Sequence, residues 1–214
     1  MKKKSNILPI IILMTIIFTG ILLSFIIYFN SASEICSNKV YNLELVIEDG
    51  EDKYNSLIEN DHIRFINNNL FLNKEKHVLK NETDSISLST LINKFGKILV
   101  FRYSELNCMM CVDQELVELR KMIHENKMKI IIITTYGEMH DLFLFKRTNQ
   151  LVDVDIYNIM EPFTNISIEK NNIPYYFVLD SDFILKDLFI PNKLFAKHSI
   201  NYLHHIIESN QKNK

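Results

Sequence analysis

Residues 98–127 read ILVFRYSELNCMMCVDQELVELRKMIHENK, and the reading of the whole chain turns on them. Residues 98–103 are a short apolar run rich in β-formers, and residues 104–107 (SELN) are a polar turn. From Cys108-Met109-Met110-Cys111 onward, Val112, Leu116, Leu119 and Ile123 recur at i, i+4, i+7 and i+11, the period of an amphipathic helix. Two thiols therefore stand two residues apart where a strand gives way to a helix. Cys108 falls at or just before the first helical turn, where unpaired backbone N–H groups and the positive end of the helix dipole favour a thiolate. Cys111 lies one turn further in, beside the Val112 face.

A C-x-x-C pair serves several chemistries. Half of a zinc site is one, but a tetrahedral site needs two more Cys or His ligands at compatible spacing. The chain has 3 cysteines in all, the third being Cys36, and His204 and His205 are adjacent on a terminal helical segment. A structural disulfide is a second, although closing so small a loop removes little entropy from the unfolded chain. The strand-to-helix position favours a third, a redox-active pair, and no metal or cofactor is assigned.

At 214 residues the chain has room for one ordinary domain and an appendage. Lys2, Lys3 and Lys4 precede an uncharged, mostly apolar run over residues 7–28. At about 1.5 Å rise per residue that run crosses a hydrocarbon core of about 30 Å. Basic residues before it, and no charge after it until Glu34, predict a cytoplasmic N-terminus with the rest of the chain outside. Ser31-Ala32-Ser33 leaves a cleavable signal peptide as the competing reading, but signal h-regions are shorter, about 7–15 residues. The expected organisation is a cytoplasmic tip and transmembrane anchor over residues 1–30, a linker over 31–70 and a globular domain over 71–211. The expected location is the cell inner membrane, single-pass, with the C-terminal domain periplasmic and residues 7–28 in the lipid bilayer. Taking those three lysines from the 24 Lys and Arg leaves 21 against 26 Asp and Glu, which argues against a nucleic-acid partner.

Residues 31–70 have a mixed pattern: alternation over 40–47 (VYNLELVI), a turn at Asp49-Gly50, a weakly helical run over 52–58, and a turn or loop at Asn67-Asn68-Asn69. Short edge strands are predicted within residues 70–79. A helix capped by Ser89 and ended by Gly96 then leads into the 98–103 strand. A strand over 128–134, a helix over 139–149 and a short strand over 152–156 follow, a β-α-β-α-β order that implies a parallel sheet with helices on its faces. Pro174 opens a strand over 175–179, Asp180-Ser181-Asp182 turns it, and residues 183–189 return as a hairpin. A helix over 199–207 closes the domain.

This order of strand, C-x-x-C helix, β-α-β, X-Pro, hairpin and final helix resembles the thioredoxin-like fold, an α/β architecture with a central mixed sheet flanked by helices. More closely it resembles the TlpA-like, redoxin-like membrane-anchored thiol-disulfide oxidoreductases, over roughly residues 71–211. The resemblance implies that Cys108 is the attacking cysteine, Cys111 the resolving cysteine and Pro174 the family's cis-proline, with Ile173 presenting its backbone to an extended partner peptide. Asn107 and Met109 flank the first cysteine and would also meet the partner. The chain departs from the family in two places. The tryptophan usual before the first cysteine is Asn107, and Arg102 replaces the buried acid that relays the resolving thiol's proton. Arginine cannot act as a base, so Glu115, one helical turn after Cys111, is the candidate relay, against the alternative of a solvated helix glutamate. The implied function is disulfide exchange with exported proteins bearing thiols or disulfides, coupled to a membrane or periplasmic redox partner. Two alternatives stay open: an extracytoplasmic copper-binding, metallochaperone-like protein using Cys108, Cys111 and His140 or Met139, and a redox-inert binding domain.

Overall fold

The computed structural model describes residues 7–107, 109–123 and 128–212, with the side chains of all of these except 7–10, 109–111 and 211–212. The chain divides into two compact units, Met1–Ser56 and Leu57–Lys214. Helix α1, Ile7–Asn67, supplies all the described structure of the first unit and opens the second. Its N-terminal part is long and apolar enough to cross a membrane. The Thr and Ser hydroxyls there bond back within the helix: Thr15 donates to the Ile12 carbonyl at 2.8 Å, Thr19 to that of Ile16 at 2.9 Å and Ser24 to that of Gly20 at 2.9 Å. Such internal pairing suits a segment that has no water to bond.

The helix corrects the reading of residues 31–67. No turn forms at Asp49-Gly50; the chain stays helical, and Lys53 pairs with Asp49 one turn back at 2.6 Å. The alternation over 40–47 finds no neighbouring strand, because side chains there are exposed on every side of α1. The asparagine triplet does end the helix, with Asn69 at φ 64 in the left-handed conformation that asparagine tolerates better than most residues.

The second unit is built on a seven-stranded mixed sheet in the order β2-β1-β5-β4-β3-β6-β7. The strands are β1 His77–Leu79, β2 Ser85–Ser87, β3 Ile98–Ser104, β4 Lys129–Thr135, β5 Ile156–Asn158, β6 Tyr175–Leu179 and β7 Lys186–Phe189. β3, β4 and β5 are parallel, as the β-α-β-α-β order predicts, and β6 pairs antiparallel to β3 and to β7. Central strands carry apolar residues on both faces because both are covered. Helices α3 (Met109–Ile123), α4 (Met139–Thr148) and α5 (Ala196–Lys212) pack on one face through Val112, Leu116, Leu142, Phe145 and Leu203. On the other face lie α2 (Leu88–Phe95), Ile63 from the end of α1, and a 3-10 turn at Ser167–Asn171.

Several boundaries move for local reasons. Ser87, not Ser89, caps α2, its hydroxyl accepting from the Thr90 N–H at 3.2 Å. Gly96 ends that helix at φ 72, a backbone that suits glycine. The last parallel strand is Ile156–Asn158 rather than residues 152–156, because Leu151 and Val154 serve the α4 face of the core first. The returning hairpin strand starts at Lys186, after Asp182 and Phe183 (φ 57) have made the turn.

Candidate functional site

Alternation along β3 sorts its side chains. Leu99, Phe101 and Tyr103 face α3, while Ile98 and Val100 face the opposite core, and Arg102 shares their parity. Across the sheet Arg102 stands opposite Tyr175 and Phe101 opposite Tyr176. The two adjacent tyrosines of β6, directly after Pro174, thus reach opposite faces of the sheet. Each hydroxyl ends on a buried carboxylate.

On the first face, the Arg102 guanidinium is 2% exposed and forks onto Glu169, Nε to Oε1 at 2.8 Å and Nη2 to Oε2 at 2.7 Å. Nη2 also donates to Thr135 Oγ1 at 2.7 Å, and Nη1 to the Tyr103 carbonyl. Tyr175 adds a third bond to Glu169 at 2.7 Å. Arg102 therefore neither reaches toward α3 nor carries a free charge; its partner comes from the 3-10 turn that leads into Pro174.

On the second face, Glu115 of α3 is 4% exposed, so it is not the solvated helix glutamate that its surface-type sequence surroundings allow. Tyr176 donates to its Oε2 and Ser199 of α5 to its Oε1, both at 2.8 Å. Burial pushes the Glu115 carboxyl up from the ordinary value of 4.5, and the two hydroxyl bonds pull the other way without cancelling it. α3 thus carries a buried acid one turn beyond position 111. Ser199 and Tyr176 escaped the sequence reading, because neither residue type signals a partner tens of positions away.

Asn107 is buried and turned back on its own loop: its Oδ1 accepts from the Ser104 N–H at 2.6 Å and its N–H donates to the Ser104 carbonyl at 3.0 Å. It closes the turn that delivers the chain to α3, whose first residue is Met109. Cys108 lies outside the described residues, as do the side chains of Met109 and Cys111; position 111 is in the first turn of α3.

Pro174 is buried and Ile173 half-buried. Among the described residues there is no cis peptide bond, so Ile173-Pro174 is trans and the cis-proline implied by the resemblance is corrected. The chain reversal is made one residue earlier, by Asn172 at φ 49, ψ 46, and needs nothing unusual from the proline, for which trans is the favoured isomer by about 0.5–1 kcal/mol. A cleft of about 200 Å³ separates this segment from the 104–107 turn, with Leu106, Asn107 and Ile173 on its walls and Arg102, Glu169 and Tyr175 among its lining residues. His140 and Met139, candidates for a copper site, instead line a cleft of about 400 Å³ with Lys80, Glu82, Phe143 and Lys146. Among the described residues, no side chain of α3 lines that cleft and no group of three His, Cys, Asp or Glu side chains is placed to hold a metal.

No protein-family model matches the sequence, and no curated protein matches it. The structure is similar to the thioredoxin domain of a thiol-disulfide oxidoreductase from Bacteroides vulgatus, with a TM-score of 0.46, 12% identity, and 64% of this chain and 98% of that one covered. It is also similar to thioredoxin peroxidase I of Plasmodium yoelii, with a TM-score of 0.46, 14% identity, and coverage of 67% and 91%. The second unit has the element order of a thioredoxin-like domain: a parallel β3-β4-β5 core joined by α3 and α4, an antiparallel β6-β7 hairpin and a closing helix.

Proposed function

We propose that the chain is a membrane-anchored thiol-disulfide oxidoreductase of the TlpA-like kind, exchanging disulfides with exported proteins through Cys108 and Cys111. The observation that carries this reading is the start of α3 at Met109, just beyond the carboxyl end of β3, with a buried carboxylate one turn after position 111. In one direction the Cys108 thiolate attacks a partner disulfide, forming a mixed disulfide and releasing one partner thiolate, which takes a proton from water. Cys111 then gives its proton to the Glu115 carboxylate and attacks the Cys108 sulfur. The second partner thiol leaves, taking up the proton, and two electrons have passed to the partner. A membrane or periplasmic dithiol protein restores the pair. The steps are reversible, and the direction follows from relative potentials, where 30 mV corresponds to about 1.4 kcal/mol.

The direct test is exchange by the full-length protein in detergent. Turnover of a protein disulfide that disappears in Cys108→Ser supports the reading, and turnover that survives the substitution removes it.

Glu115→Gln isolates the proton step. The variant is expected to resolve mixed disulfides about 100-fold more slowly, within the usual range for a general base. It should also lose the fall in rate that the wild type shows as acidification protonates Glu115. The stability sign follows from the same raised carboxyl. Between the unfolded value near 4.5 and the raised folded value, the folded state holds more protons, so wild-type stability drops as pH rises through that window. Denaturant melts across the window should show this drop in wild type and a flatter profile in Glu115→Gln. Parallel profiles would leave Glu115 without a proton role.

Anchoring makes a separate prediction. A protease added outside the inner membrane should remove the domain after residue 30 while the protein still fractionates with membranes. A protected domain, or a soluble mature form, would exclude the anchored topology.

A further inference from the structure

The Arg102-Glu169 pair joins the two segments that wall the cleft. Arg102 is anchored on the sheet by its own strand, by the Tyr103 carbonyl and by Thr135, the last residue of β4. Glu169 sits on the 3-10 turn Ser167–Asn171, immediately ahead of Asn172, Ile173 and Pro174. That turn is held from behind as well: Asn67, at the end of α1, accepts from the Ser167 N–H at 2.7 Å and donates to its hydroxyl at 2.9 Å. Tyr175 binds the same Glu169 carboxylate from the other side of Pro174. The segment carrying Ile173 is therefore fixed at both ends through one carboxylate, and the carboxylate is fixed by one guanidinium. A planar bidentate fork sets direction as well as distance, which a lysine at position 102 would not.

We propose that Arg102 and Glu169 are positioning residues that hold the 172–174 segment at the spacing from the 104–107 turn that an extended partner peptide needs to lie in the cleft between them. This rests on the exchange reading above. A small disulfide reaches the thiols without spanning the cleft; a protein disulfide brings its flanking backbone with it. The pair should therefore matter for protein partners and not for small ones.

The test compares insulin and glutathione disulfide as substrates of the full-length protein and of the double variant Arg102→Leu/Glu169→Leu, which removes both charges together and leaves neither unpaired. Expected is a rise of about tenfold or more in KM for insulin with kcat within about twofold, and less than twofold change in either parameter for glutathione disulfide. Arg102→Lys, which keeps the charge and loses the fork, should fall between the two on insulin. Should the double variant not fold, Arg102→Lys and Glu169→Gln carry the same comparison. Equal losses on both substrates mean a merely structural pair and overturn the proposal, as does an unchanged KM for insulin. A wild-type protein that turns over neither substrate overturns the exchange reading and the proposal with it.

Discussion

Membranes carrying the Cys111→Ser protein are expected to accumulate mixed disulfides between Cys108 and exported partners, visible as ladders on non-reducing gels that collapse with reductant. The first attack needs only a thiolate at the start of α3, where the backbone N–H groups of the first turn have no helical partner. The second needs a thiol at position 111, and serine cannot supply it, so the intermediate has no intramolecular exit. Cys108→Ser should give few or no ladders and no turnover, a loss of essentially all exchange. Cys36 is exposed on α1, far along the chain from the pair, and Cys36→Ser should leave both ladders and turnover in place. Ladders of equal strength from Cys108→Ser and Cys111→Ser would mean that the two thiols have no division of labour. The C-x-x-C would then be a structural or metal-binding pair.

What the sequence made legible follows from where periodicity is strong. β3, α3 and β4 have long, clean patterns, and their observed bounds lie within about a residue of the expected ones. Gly96 and the asparagine triplet were readable because a positive φ restricts the residues that fit. Residues 31–67 were misread for the converse reason. A helix exposed on all sides has no apolar stripe, so its period is hidden, and a lone glycine such as Gly50 looks like a turn although it costs a helix only about 1 kcal/mol. The short strands β1, β2 and β5 are set by pairing partners distant in sequence rather than by their own three residues.

The site was legible in its residue types and not in its wiring. A lone Arg102 inside an apolar strand announces a buried partner, yet nothing in the sequence distinguishes Glu169 from the other 25 acidic residues as that partner. Glu115 could be named from its i+4 spacing to Cys111, but its burial depends on Tyr176 and Ser199, which arrive from a strand and a helix much later in the chain. The trans Ile173-Pro174 bond reflects the same limit. A family pattern implied cis, whereas the left-handed Asn172 next door already turns the chain.

Glu169→Ala is expected to be the most destabilising single substitution in the second unit, lowering its unfolding free energy by about 3–5 kcal/mol. The side chain is 8% exposed, its carboxylate receives three hydrogen bonds, and two come from a guanidinium that is itself buried. Alanine leaves that guanidinium charged in a low-dielectric site with only Thr135 and the Tyr103 carbonyl as acceptors, because arginine does not shed its proton. The Tyr175 hydroxyl is stranded as well. Against a total stability of about 5–15 kcal/mol for an ordinary domain, a loss of this size shifts the denaturation midpoint by a large fraction. Arg102→Leu/Glu169→Leu should cost much less than Glu169→Ala alone, since exchanging a buried ion pair for apolar groups is often close to neutral. Urea melts of the full-length protein in detergent, followed by far-ultraviolet circular dichroism, compare the three proteins directly. If the double variant proved as unstable as Glu169→Ala, the cost would lie in lost packing, not in an orphaned charge.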